Sequence, residues 1–302
     1  MKQTLVIGST VVDVFLQLPS LPRRGEDVNV LNSEYRIGGC AYNVYKTLVL
    51  FESPAVLCSP VGFGIFGRMV RDALHKDGLR PIASLEKENG CCYCLIEPDG
   101  ERTFLSHHGA EYLFSRSWLK NIDYSHTDSV YICGIDIEEP TGTEMVEFVK
   151  EHPELSVFFS PGPRIMHIPF DIMESILNCR DKDGKGPFLH LNEAETLGFT
   201  RMTSVEEGAD YLAKITGNSV VVTYGKLGCY CLEKAGMTGS HIPGFPACVV
   251  DTVGAGDAHF GALIACLKEG MELEKACRRA NKISAGVVGI KGAVLDGLPE
   301  FD

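Results

Sequence analysis

The sequence predicts an α/β protein in which helices cover both faces of a central, mostly parallel sheet and a small β-sheet forms a lid. Two observations support this fold class. Short apolar or β-branched runs alternate with longer helix-compatible stretches, which is typical of parallel strands joined by crossover helices. Two segments, at about residues 14–37 and 90–108, break the alternation and supply the lid. We expect residues 1–302 to form one domain.

The predicted strands of the central sheet are short and rich in Val, Ile, Leu and Phe. They fall at residues 5–7, 55–57, 129–133, 155–159, 188–191 and 219–223. Helix-compatible stretches between several of them include residues 67–76, 143–151 and 205–215. Ligands of such sheets bind at the carboxyl ends of the strands, so polar residues that follow a strand are candidates for a site.

The lid segments have a different pattern. The first contains Pro19, Pro22 and Gly25 and continues as an extended run that alternates polar and apolar residues. The second, at residues 90–107, predicts two strands joined by the turn EPDG at residues 97–100. Together they are expected to cover one end of the main sheet, and an exposed lid strand is expected to pair two copies in a homodimer.

The composition excludes several classes of partner. A net charge of −12 argues against nucleic acid and anionic membranes, because binding to both needs clustered Lys and Arg. No run approaches the roughly 18 uncharged apolar residues of a membrane helix. Residues 1–18 are apolar, but Asp13 interrupts them and no cleavage site follows. We expect a cytoplasmic protein that acts on a small molecule.

The 12 cysteines are scattered through predicted strands and helices. Disulfide frameworks are typical of short exported chains, so free thiols are expected here. Cys91 and Cys94 have the spacing of zinc and redox sites, but no second pair repeats it and residues 90–96 alternate like a strand. We interpret these cysteines as packing residues.

The most informative segment is residues 251–262, DTVGAGDAHFGA. A helix is predicted after it, so the bend Gly254-Ala255-Gly256 leaves backbone N–H groups free to bind an anion that the glycines allow to approach. Asp257 lies in the first turn, where a carboxylate suits proton removal from a hydroxyl that attacks a phosphoryl group. Taken alone, the same letters also fit an ordinary turn with an Asp cap.

Other candidates follow predicted strands or lie at the lid. Asp13 comes after the first strand, and Gly38 and Gly39 precede a predicted helix that carries Asn43. An amide there suits the hydroxyls of a polyol, although a turn with a local Asn cap is the alternative. His107 ends the second lid strand, where it is expected to reach a substrate beneath the lid, with a surface role as the alternative.

Asn192 and Glu195 follow the strand at residues 188–191 and are three positions apart. If a helix begins there, they share a face and are able to hold Mg²⁺ through water. A helix N-cap with a favourable acid is the alternative.

A competing motif lies at residues 61–67, VGFGIFG, where Gly62, Gly64 and Gly67 match Gly-x-Gly-x-x-Gly. Glu86 follows at about the distance of a ribose-binding acid, which indicates a dinucleotide-dependent oxidoreductase as one alternative. That motif usually opens the first strand-helix unit, whereas here a strand, the lid and a helix precede it.

These residues together resemble the ribokinase-like carbohydrate kinase family, often called PfkB. The resemblance runs from Gly8 to about Ala293. The matching elements are DTVGAGD at residues 251–257, Gly38-Gly39 with Asn43, and Asn192 with Glu195.

The resemblance implies ATP as phosphoryl donor, Mg²⁺, and transfer to a hydroxymethyl group of a sugar or nucleoside. By position, Asp257 would be the base and Gly254, Ala255 and Gly256 the anion hole. The acceptor would contact Asp13, Gly38, Gly39, Asn43 and His107. The nucleotide would contact Thr223, Gly225, Gly228 and Asn281. A monovalent cation such as K⁺ would lie near Asp251.

Departures from the family pattern leave the acceptor open. Gly64 stands where many members carry an acid, Tyr45 replaces a small residue, and Ser160 begins a loop that usually begins with Asp. Tyr42, Phe104 and the lid histidines suit stacking on a base as well as contact with a bare sugar. A non-catalytic sensor that binds a sugar or nucleotide is a further alternative.

Overall fold

The structure is a computed structural model that describes residues 2–301. Its strands, in chain order, are β1 (Gln3–Ile7), β2 (Val11–Gln17), β3 (Asn32–Gly38), β4 (Ala55–Cys58), β5 (Val61–Phe63), β6 (Ser84–Glu88), β7 (Cys91–Ile96), β8 (Arg102–His107), β9 (Thr127–Cys133), β10 (Ser156–Ser160), β11 (Phe188–Asn192), β12 (Val220–Thr223), β13 (Gly228–Leu232) and β14 (Ser240–Pro243). The helices are α1 (Cys40–Leu50), α2 (Gly64–Lys76), α3 (Gly134–Ile137), α4 (Gly142–Glu151), α5 (Phe170–Leu177), α6 (Glu193–Thr200), α7 (Val205–Thr216), α8 (Ala255–Lys268) and α9 (Leu273–Val287).

The central sheet has eight strands in the order β14-β13-β12-β11-β10-β9-β1-β4. Its strands run parallel from β12 to β4, and only β13 and β14 at one edge are antiparallel. Alternate side chains of these strands enter two separate cores, one shared with α1, α8 and α9 and the other with α4, α5 and α7. Helices therefore cover both faces, and the predicted fold class is confirmed.

The lid is a four-stranded sheet in the order β3-β2-β7-β8. The predicted turn joins β7 to β8, with the Gly100 N–H donating to the Glu97 carbonyl at 2.9 Å. Gly100 has φ +88°, a conformation that glycine adopts without strain. The outer strands β3 and β8 present exposed Tyr35, Phe104 and Leu105. Dimerisation through this edge stays a prediction.

The first lid strand begins earlier than the sequence analysis placed it. It starts at Val11, so Asp13 lies within β2 rather than in a loop after β1. The reason is that Val11, Val12, Val14 and Phe15 are all buried, so the strand is covered on both faces. Asp13 is consequently held by strand pairing, opposite Arg36 of β3 and Cys92 of β7.

The cysteines are free thiols, and most of them are buried. Cys91 and Cys94 are an odd number of positions apart on β7, so they lie on opposite faces of the strand and do not form a paired site. No helix among residues 2–301 has the length and apolar character needed to cross a membrane.

Candidate active site

The glycine bend opens α8 in the way the sequence predicts. Gly254 is the N-cap residue with φ +74°, and a Cβ there would overlap the Ala293 side chain. At Gly256, by contrast, an added Cβ would meet nothing within 4 Å. The first-turn amides of Gly256 and Asp257 have no hydrogen-bond acceptor within the part of the chain that the structure describes. The bend thus presents backbone donors to open space.

Asp257 lies in the first turn of α8, between this bend and α1. Its Oδ2 accepts a 2.8 Å hydrogen bond from Nδ2 of Asn43. The two helices approach closely because Gly261 of α8 lies against Thr47 of α1, where a Cβ would be 2.7 Å away. Burial raises the pKa of Asp257, and hydrogen bonds from Asn43 and the Cys40 thiol partly oppose this. The carboxylate is therefore oriented and partly desolvated, as a general base requires.

Asp13, Gly38 and Gly39 meet on the lid side of Asp257. A Cβ on Gly38 would overlap the Asp13 carboxylate, and one on Gly39, which has φ +100°, would be 2.6 Å from the Ser9 carbonyl oxygen. The paired glycines are thus needed to let the backbone pass beside Asp13. Burial, and then the negative charges of Cys92, Asp257 and Asp251, raise the pKa of Asp13 to about 8.

One acid near this group was missed by the sequence analysis. Asp136 follows β9 in α3 and is fully buried, with Oδ1 accepting the Ser9 N–H at 3.0 Å. Burial raises its pKa to about 7. Among residues 2–301, its Oδ2 has no hydrogen-bond partner, and neither has Oδ1 of Asn43. The available signal was its position after the carboxyl end of a predicted strand, where ligands gather.

Asp251 is held by the lid. Arg36 of β3 reaches its Oδ2 at 2.6 Å, and Arg102 of β8 reaches its Oδ1 at 3.3 Å. The Val253 N–H also donates to Oδ1 at 3.0 Å. Both carboxylate oxygens are therefore paired with guanidinium groups, and a K⁺ ion would add positive charge to two existing cations. These residues do not fit the monovalent-cation role predicted for Asp251, and the two arginines were not foreseen.

The four predicted nucleotide residues lie together. A pocket of about 760 Å³ is bordered by Thr223, Gly225, Gly228 and Asn281, and it reaches Ala255 and Gly256 of the bend. The Asn281 side chain is already engaged, because its amide donates to the carbonyls of Ile242 and Pro243 and its oxygen faces His259 at 3.0 Å. Asn281 therefore shapes the pocket wall.

Asn192 and Glu195 form a capping box at the start of α6. Asn192 Oδ1 accepts the Glu195 N–H at 2.8 Å, and Glu195 Oε2 accepts the Asn192 N–H at 3.0 Å. Burial is the largest cause that raises the pKa of Glu195, and the charge of Asp257 contributes to it. Asn192 also borders the 760 Å³ pocket. All three side-chain oxygens already accept hydrogen bonds within the cap, and each keeps a second lone pair that a water molecule of hydrated Mg²⁺ would be able to reach.

Two sequence candidates do not join this group. His107 pairs with Cys91 across β7 and β8, whereas Ser106 pairs with Cys92, so His107 lies on the opposite face of the lid from Asp13. The loop at Gly62 is closed, because its N–H donates to Asn89 and a Cβ there would overlap the Lys87 carbonyl. The Gly62 amide is therefore not available to the phosphates of a dinucleotide.

The raised pKa of Asp13 predicts how stability depends on pH. Between its ordinary value of 3.8 and about 8, the folded state holds a proton that the unfolded state has released. Stability should therefore fall as the pH rises through this interval, by about 1.4 kcal/mol per pH unit from this group. Urea unfolding of the wild type and of Asp13→Asn between pH 5 and 7 would measure it, with the variant showing the flatter dependence.

The exposed Asp27 in the loop before β3 supplies the control. Asp27→Asn should keep the wild-type pH dependence. Equal slopes for the wild type and Asp13→Asn would show that Asp13 is ionised in the folded protein, contrary to this prediction.

Comparison of the whole chain with solved structures identifies its fold. Ribokinase from Thermotoga maritima superimposes with a TM-score of 0.81 at 21% identity, covering 97% of this chain and 95% of that one. Arabidopsis thaliana ribokinase, solved with ribose and ATP, gives a TM-score of 0.79 at 22% identity and covers 97% and 94%. The protein therefore has the ribokinase-like α/β fold.

Sequence comparison gives the family. The chain matches the profile described as "pfkB family carbohydrate kinase" over residues 1–300. It is also 33% identical over 297 residues to the uncharacterized sugar kinase YegV of Escherichia coli K12, covering 96% of this chain and 90% of that protein. The protein belongs to the pfkB family of carbohydrate kinases, and it is an ATP-dependent kinase with a sugar or nucleoside alcohol as acceptor.

Proposed function

We propose that this protein transfers the γ-phosphoryl group of ATP to a hydroxymethyl group of a neutral monosaccharide, with Asp257 as the general base. The observation that carries the proposal is the position of Asp257. It lies in the first turn of α8, next to the glycine bend that borders the 760 Å³ pocket, and its carboxylate is held by the 2.8 Å hydrogen bond from Asn43.

In the proposed reaction, Asp257 removes the proton of the acceptor hydroxyl as its oxygen attacks the γ-phosphorus. Asn43 holds the carboxylate in place through its 2.8 Å hydrogen bond. The amides of Gly256 and Asp257 stabilise the charge that develops on the transferred group, with Gly254 and Ala255 setting the bend. These amides belong to the first turn of α8, whose regular backbone begins after Gly254, so the donors are oriented before the substrate binds.

The pocket beside the bend is the proposed ATP site. Thr223, Gly225 and Gly228 contribute one wall, and Val288 and Ala285 of the α9 region contribute an apolar surface suited to a base. Asn192 and Glu195 would hold Mg²⁺ through water at its rim. When bound, Mg²⁺ neutralises phosphate charge and orients the γ-phosphoryl group.

A sugar is favoured over a nucleoside by what the aromatic side chains of this region contact. The unpaired buried oxygens of Asn43 and Asp136 suit the hydroxyl donors of a sugar ring, whether free or in a nucleoside, so they do not decide the choice. Of the aromatic side chains suited to stacking on a base, Tyr42 instead donates to Asp77 at 2.6 Å and His108 pairs with Glu139. Phe104 alone of that set is on the Asp13 face, opposite Cys94, and it is half exposed.

The test is incubation of the protein with ATP, Mg²⁺ and a panel of neutral monosaccharides and nucleosides, followed by ADP measurement and mass spectrometry. We expect ADP release and a new sugar phosphate with at least one monosaccharide and with no nucleoside. A nucleoside monophosphate product would overturn the sugar assignment. Thermal stabilisation by a sugar without ADP release would instead support the non-catalytic sensor.

A further inference from the structure

The lid carries a group of three side chains whose donor atoms are of the kinds that bind metal ions. Asp13 on β2 and Cys92 and Cys94 on β7 offer one carboxylate oxygen and two sulfur atoms, all within 4.8 Å of one another. The parallel register explains the group, because Asp13 pairs with Cys92 and Phe15 with Cys94, which places Cys92 and Cys94 on the Asp13 face. The spacing that the sequence emphasised, Cys91 to Cys94, has no part in it.

We propose that Asp13, Cys92 and Cys94 form a binding site for a thiophilic divalent cation, of which Zn²⁺ is the type. Two thiolates and a carboxylate are an ordinary donor set for Zn²⁺, and three protein ligands leave its fourth position open to water. Soft sulfur donors discriminate against Mg²⁺, so the cation proposed at Asn192 and Glu195 does not compete for this site.

Both sulfur atoms are already close to their required positions. Cys92 is half-buried and receives a contact from the Ser106 hydroxyl at 3.8 Å, whereas Cys94 is fully buried. Because the three donors belong to two directly paired strands, small side-chain rotations bring them to one ion without a backbone change. Binding releases the thiol protons, so occupancy should increase with pH.

The surrounding charges are close to balanced, so the preference for a cation comes from the donor atoms themselves. Asp251 and Asp257 act on Asp13 as negative charges, and Arg36 opposes them. The Arg36 guanidinium is shared between Glu34 and Asp251, at 2.8 and 2.6 Å, and Arg102 also pairs with Asp251 at 3.3 Å.

Occupation of this site has a consequence that rests on the proposed function. Asp13 is a proposed acceptor contact, so an ion bound to it would exclude the sugar while leaving the pocket at Thr223 and Gly225 open. Zn²⁺ should consequently inhibit competitively with the acceptor and not with ATP.

The primary test measures binding directly and does not depend on kinase activity. The reduced full-length protein would be titrated with Co²⁺ as the probe, monitoring thiolate-to-cobalt charge-transfer absorption and its loss when Zn²⁺ displaces Co²⁺. We expect saturation at one equivalent. Cys92→Ser and Cys94→Ala should each weaken binding by at least about 100-fold, since losing a direct ligand exceeds the effect of losing an outer-shell partner.

Cys248→Ser provides the matched control, because Cys248 is an exposed thiol far along the chain from the lid. This variant should bind Co²⁺ like the wild type. Cys92→Ser is the safer of the two site variants, because Cys92 is only half-buried and its replacement leaves no cavity in the core. Absence of a charge-transfer band in the wild type, or a band retained in the Cys92→Ser/Cys94→Ala double variant, would overturn the proposal. If the band appears but no sugar is phosphorylated, the metal site stands and the proposed function fails.

Discussion

Replacement of Asp257 by Asn is expected to lower kcat by about 10³-fold, because a positioned general base contributes roughly 10²–10⁴-fold. The amide occupies nearly the same volume and keeps a hydrogen bond with Asn43, so the position of α1 against α8 should not change. ATP affinity should remain nearly constant, since the 760 Å³ pocket does not include Asp257. ADP release at saturating sugar and calorimetric titration with ATP would measure the two quantities.

The stability of this variant distinguishes lost chemistry from lost structure. Burial raises the pKa of Asp257, so a neutral amide should leave the melting temperature equal or higher. Asp171→Asn is the matched control, because Asp171 is an exposed acid in the first turn of another helix, α5, and should retain full turnover. Wild-type kcat in Asp257→Asn would refute the assignment of the base.

Substitution of Gly256 by Val should lower kcat/KM by about 10²–10³-fold, comparable to the loss of one oxyanion donor. The Val side chain would project into the space from which phosphoryl oxygens must approach the amides, since a Cβ at Gly256 meets no atom within 4 Å. Stability should change by no more than about 1 kcal/mol, because Val is at least as favourable as Gly in a helix. Steady-state kinetics and urea unfolding of the same preparation would show both effects.

Two comparisons make this result specific. Gly198 in α6 is also a helical glycine with open space at its Cβ position, and Gly198→Val should remain active. Gly254→Ala should instead lose stability, because Gly254 has φ +74° and its Cβ would overlap Ala293. If Gly256→Val binds ATP and turns over normally, the bend is not the anion hole.

The regular elements and the hairpin turn were accessible from the sequence because they depend on local patterns. Apolar runs located the central strands to within one or two residues, and the helices at residues 205–215 and 143–151 were found with similar accuracy. Family membership was accessible for a different reason. In the segment at residues 251–257, the positive φ of Gly254 requires glycine and the carboxylate of Asp257 requires an acid. Few other sequences satisfy both requirements, so the segment is specific to the family.

The groups around Asp257 were less predictable because long-range pairing assembles them. The Arg36–Asp251 contact joins residues 215 positions apart, and the hydrogen bond from Arg102 to Thr252 joins residues 150 apart. Nothing near Asp251 in the sequence indicates that its carboxylate forms ion pairs with two arginines of the lid. Asp136 was overlooked for the same reason, since its burial and unpaired oxygen appear only when β9 is placed beside β1.

By itself, the sequence determined the fold class, the family and the position of the glycine bend, because periodicity and φ requirements are properties of neighbouring residues. The tertiary structure decided which face each lid residue occupies, because a shift of one residue in strand register exchanges the two faces. That register removed His107 from the Asp13 face, and it brought Cys92 and Cys94 to Asp13.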